Sequence, residues 1–279
     1  MKRLLLFTVK SIITNPQLLG WGILFDLFWG VLGAYVMGPS YVKSLNLPSA
    51  EKQTAYLYYT SVWYADLVIM SLSAIATGIA FMLYYQTGTL PYLIRYSKLK
   101  TSTYFISMYS GSLMASFLLE LLITATTVFM FSNSVGISVT PSNIGIIMLT
   151  IILGSIFFIS FSTFLNLIVI KLHAYRLQNL FSFIPLVLGY LAFAIFTYVT
   201  LKSPVVYYSN PYMATSILLY YGYFGKFNFV NATGTEITLN LSLALLSLSI
   251  AAWIVVLNVI NYILVRKMYY VSLEEGRVM

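Results

Sequence analysis

Two acidic residues lie inside long apolar stretches of the sequence, where a charge is costly. Asp26 falls in the stretch 18–38, and Glu120 lies in the middle of the stretch 104–131. A charge at the centre of a bilayer costs about 2.5–3.5 kcal/mol on insertion scales, so such residues face a protein interior or a water-filled route. Glu120 is therefore predicted to line a pathway for a cationic or polar substrate. For Asp26 two interpretations stay open: the same pathway role, or a buried carboxyl that is protonated or paired with a lysine.

No catalytic or metal-binding constellation accompanies these carboxyls. The single histidine, His173, lies between Lys171 and Arg176 in a short polar segment typical of a solvated loop. The sequence has no cysteine, no H-E-x-x-H zinc motif and no G-x-x-x-x-G-K-[ST] phosphate loop. We therefore expect no catalytic residue, no metal and no cofactor bound by this chain, which predicts that it is not an enzyme.

Two further acidic residues are expected to matter less. Asp66 lies near the outer end of the second apolar stretch, where water is expected to reach it. Glu236 belongs to a polar connection and indicates little about function.

The elements that carry these residues are predicted to be membrane-spanning helices. Hydrophobic residues make up 60% of the 279-residue chain and charged residues only 8%. Crossing a hydrocarbon core of about 30 Å takes about 20 helical residues, and six stretches are that long. The sequence therefore predicts an all-α membrane protein, with residues 1–279 forming a single transmembrane domain. The predicted spans are 18–38, 61–85, 104–131, 143–170, 180–201 and 240–265.

The distribution of lysine and arginine predicts which way the spans face. Eleven of these residues fall on the side of the termini and four on the other side, and basic loops favour the cytoplasm. Both termini are thus predicted to be cytoplasmic, in a multi-pass protein of the plasma membrane. The net charge of +8 is explained by anionic lipid headgroups beside the spans, so nucleic acid is not expected as a partner. The four residues on the outer side are Lys43, Lys52, Lys202 and Lys226.

The segment 1–16 is predicted to form an amphipathic elbow helix. Lys2, Arg3 and Lys10 alternate with apolar residues, which suits a helix lying in the membrane interface. Asn15-Pro16 then turns the chain into the membrane. No small-residue cleavage site follows, so this segment is expected to be retained.

The segment 202–239 precedes the last span and is not uniformly polar. Asn210-Pro211 is a helix-start signal, and Tyr212 to Phe224 is apolar but too short to cross a bilayer. Two interpretations stay open: a re-entrant half-helix in the outer leaflet, or a surface helix in an aromatic belt. Most tyrosines near this segment and near residue 60 are expected at the membrane interface. Asn231 is a candidate glycosylation site.

The loop 86–103 between the second and third spans contains a predicted short helix. Thr89 can cap it, and Pro91 is tolerated in its first turn. Leu90, Leu93 and Ile94 share one face near Arg95, which suits docking to a soluble protein or lying on lipid.

The stretch Q-T-G-T-L-P-Y-L-I from Gln86 to Ile94 resembles the E-x-G-T-L-E-x-L-L signature of ABC-2-type transporter permeases. The six spans, the cytoplasmic termini, the elbow helix and the Asn210-Pro211 segment match the plan of that family. The sequence departs from the signature at Gln86 and at Pro91, where the family often has glutamate.

The resemblance implies the permease subunit of an ATP-driven exporter. A separate cytoplasmic ATP-binding subunit would bind ATP and magnesium, a second permease copy or a paralogue would complete the pathway, and spans one, two and five would line it. The helix around 211–224 would act as an outer gate, with Asn210, Pro211 and Tyr212 as candidate gate residues. Its apolar, aromatic mouth favours a hydrophobic or amphipathic substrate such as a lipid, drug or peptide. The residues implied in coupling to the ATPase are Gly88, Thr89, Leu90, Tyr92, Leu93, Ile94 and Arg95.

An alternative hypothesis is an ATP-independent, ion-coupled transporter or channel that uses Asp26 and Glu120. Such transporters are typically built from internal repeats with several intramembrane charges. The sequence has no clear repeat, so this hypothesis ranks second.

Overall fold

The computed structural model describes residues 2–44, 48–87, 101–199, 203–230, 236–238 and 240–268. The helices are α1 (Lys2–Ile13), α2 (residues 16–44), α3 (Ser49–Thr87), α4 (Thr101–Val135), α5 (Ile144–Lys171), α6 (Gln178–Tyr198), α7 (Pro204–Ser209), α8 (Pro211–Phe224) and α9 (Leu243–Met268). A 3-10 turn covers Tyr175–Leu177. Two short antiparallel strands, β1 (Asn228–Val230) and β2 (Glu236–Thr238), pair with Phe229 opposite Ile237. Apart from this ribbon, which the all-α prediction did not include, the described secondary structure is helical.

Six of the helices (α2 to α6, and α9) are long and apolar enough to cross a membrane. The six predicted spans are therefore confirmed as helices, and the fold indicates a multi-pass membrane protein. The second predicted span is helix α3, which starts at Ser49 rather than at residue 61. Its additional first turns pack against α4. The Tyr56 hydroxyl there donates to the Phe131 carbonyl at 3.2 Å.

Helix α3 is the centre of the bundle. In its apolar stretch 94% of the residues are buried, against 17% in α9. It runs antiparallel to α4, where the Tyr64 and Thr124 hydroxyls lie 3.0 Å apart. It runs parallel to α5, where Ser162 donates to the Ala76 carbonyl at 2.6 Å. Helices α2, α4, α5 and α6 all contact α3, whereas α9 packs on α5 and α8.

The bundle has two ends, which are named here by the parts of the chain that they hold. The N-terminal end holds α1, Thr87 and Thr101, and the far end holds Ser44, Val135 and Ile144. The side of the membrane on which each end lies stays a prediction.

Helix α2 crosses α3 closely and is irregular. A Cβ on Gly33 would lie 2.7 Å from the Trp63 ring, so only a glycine permits this approach. Two π-helical segments, Leu19–Leu24 and Leu32–Met37, flank the α-helical turns Phe25–Val31. A π-helical turn holds one more residue than an α-helical turn and is frequent at functional sites.

Helix α1 is amphipathic and packs across the N-terminal end of α4. Thr8 and Ile12 are buried, and a Cβ on Gly111 of α4 would lie 2.8 Å from Thr8. Leu6 and Phe7 on the other side of α1 are exposed. A helix therefore occupies the predicted segment 1–16, while its position at a membrane surface stays a prediction.

Helices α7 and α8 form a hairpin between α6 and α9, called here the helical hairpin (residues 204–224). Its turn lies some distance from the far end along the bundle axis. This position is shown by the Trp253 indole of α9, which donates to the Ser209 carbonyl at 3.0 Å. Trp253 lies about ten residues into α9, or roughly 15 Å along its axis. The other end of α8 returns to the start of α5, where the backbone N–H of Asn143 donates to the Gly222 carbonyl at 2.8 Å.

Candidate functional site

Asp26 is buried inside the bundle on α2. It is only 2% exposed and lies in the α-helical turns between the two π-helical segments. The ring of its neighbour Phe25 packs edge-on against Tyr190 of α6, with centroids 5.9 Å apart. Asp26 is close enough to Tyr190 for the two side chains to interact electrostatically. The α2–α6 interface therefore holds the first carboxyl.

Glu120 lies in the middle of α4 and is fully buried. The Ser71 hydroxyl of α3 lies beside its carboxyl, and Glu120 interacts electrostatically with Asp26. We call Asp26 and Glu120 the carboxyl pair. Three helices (α2, α3 and α4) therefore bring both predicted pathway residues to one place.

Apart from the nearby Ser71 hydroxyl, no side chain among the described residues is shown to neutralise or bond to the carboxyl pair. None of the four carboxyl oxygens of Asp26 and Glu120 accepts a hydrogen bond of ordinary geometry from a described residue. Lysine, arginine and histidine occur in the sequence only near the ends of the spans or between them. Of the two interpretations of Asp26, the one that pairs it with a lysine therefore finds no such lysine among the described residues.

A row of polar side chains continues from Glu120 along α4. Ser112 and Ser116 precede Glu120 at four-residue spacing, which places all three on one face of the helix. Both serines are at most 1% exposed, and neither hydroxyl has a partner among the described residues. Tyr109 extends the row toward the N-terminal end. We call these four residues the polar face of α4; their spacing was visible in the sequence and was not recognised there.

The polar face of α4 meets further polar groups on α5 and α9. The Asn261 amide of α9 lies 3.5 Å from the Tyr109 hydroxyl and donates to the Ser160 carbonyl at 2.8 Å. Asn258 donates to the Ser160 hydroxyl at 2.8 Å. The Asn261 side-chain carbonyl has no partner among the described residues.

The prediction that water reaches Asp66 is wrong, because Asp66 is buried. It is 2% exposed, and the Thr197 hydroxyl of α6 donates to its Oδ2 atom at 2.9 Å. The reason is the length of α3: with the helix starting at Ser49, Asp66 lies about 17 residues from that start rather than near it. Asp66 therefore helps to hold α3 and α6 together.

The predicted gate residues lie at the turn of the helical hairpin. The Asn210 side chain caps α8 by accepting from the Tyr212 amide at 2.9 Å, and Pro211 is the first helical residue. The Tyr212 hydroxyl donates to the Pro185 carbonyl at 3.3 Å, and its ring packs on Phe158, with centroids 4.9 Å apart.

Helix α8 is buried on all sides rather than exposed at a surface. Only Tyr221 and Phe224 among its 14 residues are not fully buried. Tyrosines that were expected at the membrane interface form part of the protein core instead. The buried ones are Tyr56, Tyr64, Tyr207, Tyr212, Tyr220 and Tyr223.

Several other predicted residues lie outside the described residues. Asn231 is one, and the remainder belong to the implied coupling surface: Gly88, Thr89, Leu90, Tyr92, Leu93, Ile94 and Arg95. Their roles stay predictions. Among the residues that the structure does describe, no group of three His, Cys, Asp or Glu side chains is arranged to hold a metal ion.

Comparison with family models, with curated proteins and with solved structures finds no match for this chain.

Proposed function

We propose that this protein is the permease subunit of an ATP-driven exporter in the plasma membrane. The N-terminal end of the bundle then faces the cytoplasm, where the 86–103 loop docks onto a separate ATP-binding subunit. A second permease copy or a paralogue completes the pathway, which carries a hydrophobic or amphipathic substrate.

The observation that carries this proposal is the helical hairpin between the fifth and sixth spans. Asn210-Pro211 lies at its turn, where Asn210 is exposed and Pro211 is buried, and α8 is packed among α3, α5, α6 and α9. A half-length helix at membrane depth has to be buried in protein or line a cavity. This placement supports a gate at the far end, as the resemblance to ABC-2-type permeases implies.

A small cavity lies between α2, α3 and α6. It has a volume of about 30 Å³, which is room for a water molecule or two, and is lined by Leu18, Gly78, Phe81, Phe183 and Leu186 among others. These helices are the first, second and fifth spans, which the resemblance assigns to the pathway. The cavity agrees with that assignment and carries no information on the substrate.

In this proposal ATP moves the spans through the 86–103 loop. Closure of the ATP-binding subunits pushes on the loop and therefore on α3 and α4, which it joins. Because α3 also contacts α8, a displacement of α3 reaches the helical hairpin and shifts the bundle between inward-facing and outward-facing states.

Co-purification tests the proposal directly. The full chain is co-expressed with a P-loop ATPase that lacks membrane spans and is encoded beside it, and the complex is isolated in detergent. We expect stable association that Arg95→Glu and Gly88→Pro lower several-fold, because both changes alter the loop that would dock.

Arg176→Glu is the matched control, since it reverses a charge in a different loop on the same predicted side. It should leave the amount of bound ATPase unchanged. Failure of any such ATPase to bind the wild-type chain, or equal losses in all three variants, would rule out the proposed coupling surface.

The carboxyl pair favours a second candidate, an ion-coupled transporter or channel without an ATPase. Two buried carboxyls that interact electrostatically and have no hydrogen-bond partner among the described residues are typical of ion or proton sites in membrane proteins. Transport by the purified chain alone in liposomes, abolished by Glu120→Gln, would support this candidate over the exporter.

A further inference from the structure

We propose that the carboxyl pair is a proton-binding site and that the polar face of α4 connects it to the N-terminal end of the bundle. The inference does not rest on ATP-driven export, because the carboxyl pair has to be neutralised in the folded chain whatever drives transport.

The first step is the charge of the site. Asp26 and Glu120 come from different helices, interact electrostatically and are at most 2% exposed. Two neighbouring carboxylates that are buried from bulk solvent repel each other and lose most of their hydration. The site therefore holds at least one positively charged ligand when the helices are packed in this way.

The second step is the side chain that points to this ligand. Ser71 is 1% exposed, its hydroxyl has no hydrogen-bond partner of ordinary geometry among the described residues, and it lies beside the Glu120 carboxyl. A small shift lets this hydroxyl donate to a carboxylate or accept from a protonated carboxyl. It can therefore stabilise both states of the site.

The third step selects a proton over a larger cation. The carboxyl oxygens have essentially no accessible surface, so the helices pack closely around them. Hard metal cations are held by about six or more oxygen ligands. A proton needs only one carboxyl oxygen and therefore no further space.

The other titratable groups near the carboxyl pair are weak acids. Tyr190 of α6 faces Asp26, and Tyr64 of α3 faces Glu120 while its hydroxyl lies 3.0 Å from that of Thr124. Asp66 lies further toward the far end and is held by Thr197. Tyrosine stays protonated at neutral pH, so the carboxyl pair is where a proton is exchanged.

The fourth step is the route. The polar face of α4 runs from Glu120 through Ser116 and Ser112 to Tyr109, about 16 Å along the helix axis. Hydroxyl groups both accept and donate protons, and the two serine hydroxyls are not engaged by other described residues. At Tyr109 the row meets Asn261, whose unpaired carbonyl continues the polar surface.

Infrared spectroscopy of the full chain in liposomes tests the site. Protonated carboxyls and carboxylates absorb at different infrared frequencies, so the spectra show which form is present. They are recorded between about pH 5 and pH 9, above the range in which an exposed carboxyl loses its proton. We expect a protonated-carboxyl component that the double change Asp26→Asn with Glu120→Gln removes. Asp66 is buried as well, so Asp66→Asn is the control that identifies the contribution of Asp66 and leaves the component of the carboxyl pair in place.

The opposite result has two forms, and each overturns the proposal. The double variant has the same protonated-carboxyl band as the wild type, or the wild type has no such band and its carboxylate bands respond to sodium instead. The second form would assign a monovalent cation to the site. Each single variant is recorded as well, so that a folding defect of the double variant does not decide the result.

Hydrogen–deuterium exchange of the same band tests the route. Ser112→Ala and Ser116→Ala should each slow the exchange several-fold relative to the wild type. Ser107→Ala is the matched control, because Ser107 is equally buried and equally unpartnered but lies on the opposite face of α4. Equal exchange rates in all three variants would overturn the route. The ATP-binding subunit is absent from these samples, so their outcome is independent of the exporter proposal.

Discussion

Asp66 and the carboxyl pair are buried in the same bundle but are held in different ways. Thr197 donates a hydrogen bond to Asp66, whereas no described residue donates to Asp26 or Glu120 with ordinary geometry. Asp66 thus links α3 to α6 through its Oδ2 atom, while its Oδ1 atom, like the four oxygens of the carboxyl pair, has no partner among the described residues. The link to Thr197 indicates a structural role for Asp66, and the absence of such a link makes the carboxyl pair the functional candidate.

The Asp66–Thr197 bond predicts a measurable stability difference. Thr197→Val keeps the shape of the side chain but removes the donor, which leaves a buried carboxyl oxygen unpaired. We expect a loss of about 1–3 kcal/mol in the free energy of unfolding, measured by denaturant titration in detergent. Thr126→Val is the control, because the Thr126 hydroxyl bonds only to carbonyls of its own helix. Equal losses in both variants would contradict the role of Asp66.

Some of the residue-level picture could be predicted from the sequence. The cost of a charge in hydrocarbon was enough to place Asp26 and Glu120 in the protein interior. It was not enough to pair them, because nothing in the sequence fixes how α2 is rotated relative to α4. Asp66 was misplaced because the packed extension of α3, from Ser49 onward, is polar and aromatic rather than continuously apolar.

At the scale of elements, the helical hairpin depends on its turn. Asn210 accepts from the Tyr212 and Met213 amides, which are the unpaired donors of the first turn of α8. Both donors belong to buried residues, so loss of the Asn210 cap leaves them without their acceptor. The turn is therefore the most sensitive point of this element.

Asn210→Ala should destabilise the helical hairpin by about 1–2 kcal/mol, because the cap of α8 is lost. Asn210→Asp retains the acceptor oxygen and should recover most of the loss. Thermal unfolding in detergent measures both variants, with Asn133→Ala at an exposed position of α4 as the control. A harmless Asn210→Ala change would mean that the cap does not hold the turn.

Helix α2 shows what periodicity does not reveal. It contains two π-helical segments and packs Gly33 closely against Trp63, and no local sequence pattern marks either feature. A π-helical segment shifts the residues that follow it by about one position, or about 100° around the axis, relative to a continuous α-helix. Regular periodicity therefore could not give the face of α2 on which Asp26 lies.

At the scale of the whole molecule, the direction of the bundle is the open prediction. The chain contains no cysteine, so single-cysteine variants have no background in labelling experiments. With the N-terminal end in the cytoplasm, Thr140→Cys should react with a membrane-impermeant maleimide added to intact cells. Leu172→Cys should react only after the membrane is opened; both positions are exposed in the structure. The reverse pattern would invert the predicted topology.

The number of spans followed from hydropathy, but their arrangement did not. Lipid tails are as apolar as leucine, so a helix surrounded by lipid and one surrounded by protein have similar sequences. Helices α3 and α9 have mean hydropathies of 2.1 and 2.5, yet one is central and the other peripheral. For the same reason buried tyrosines of α8 could not be told from interfacial ones.

The central place of α3 constrains the order in which this protein is made. A ribosome delivers α3 before α4, α5, α6 and α8, which later cover it. Asp66 meets its partner Thr197 only after 131 further residues have been synthesised. Until then Asp66 has no access to the donor that it has in the finished bundle. The central helix is thus synthesised before most of the helices that enclose it.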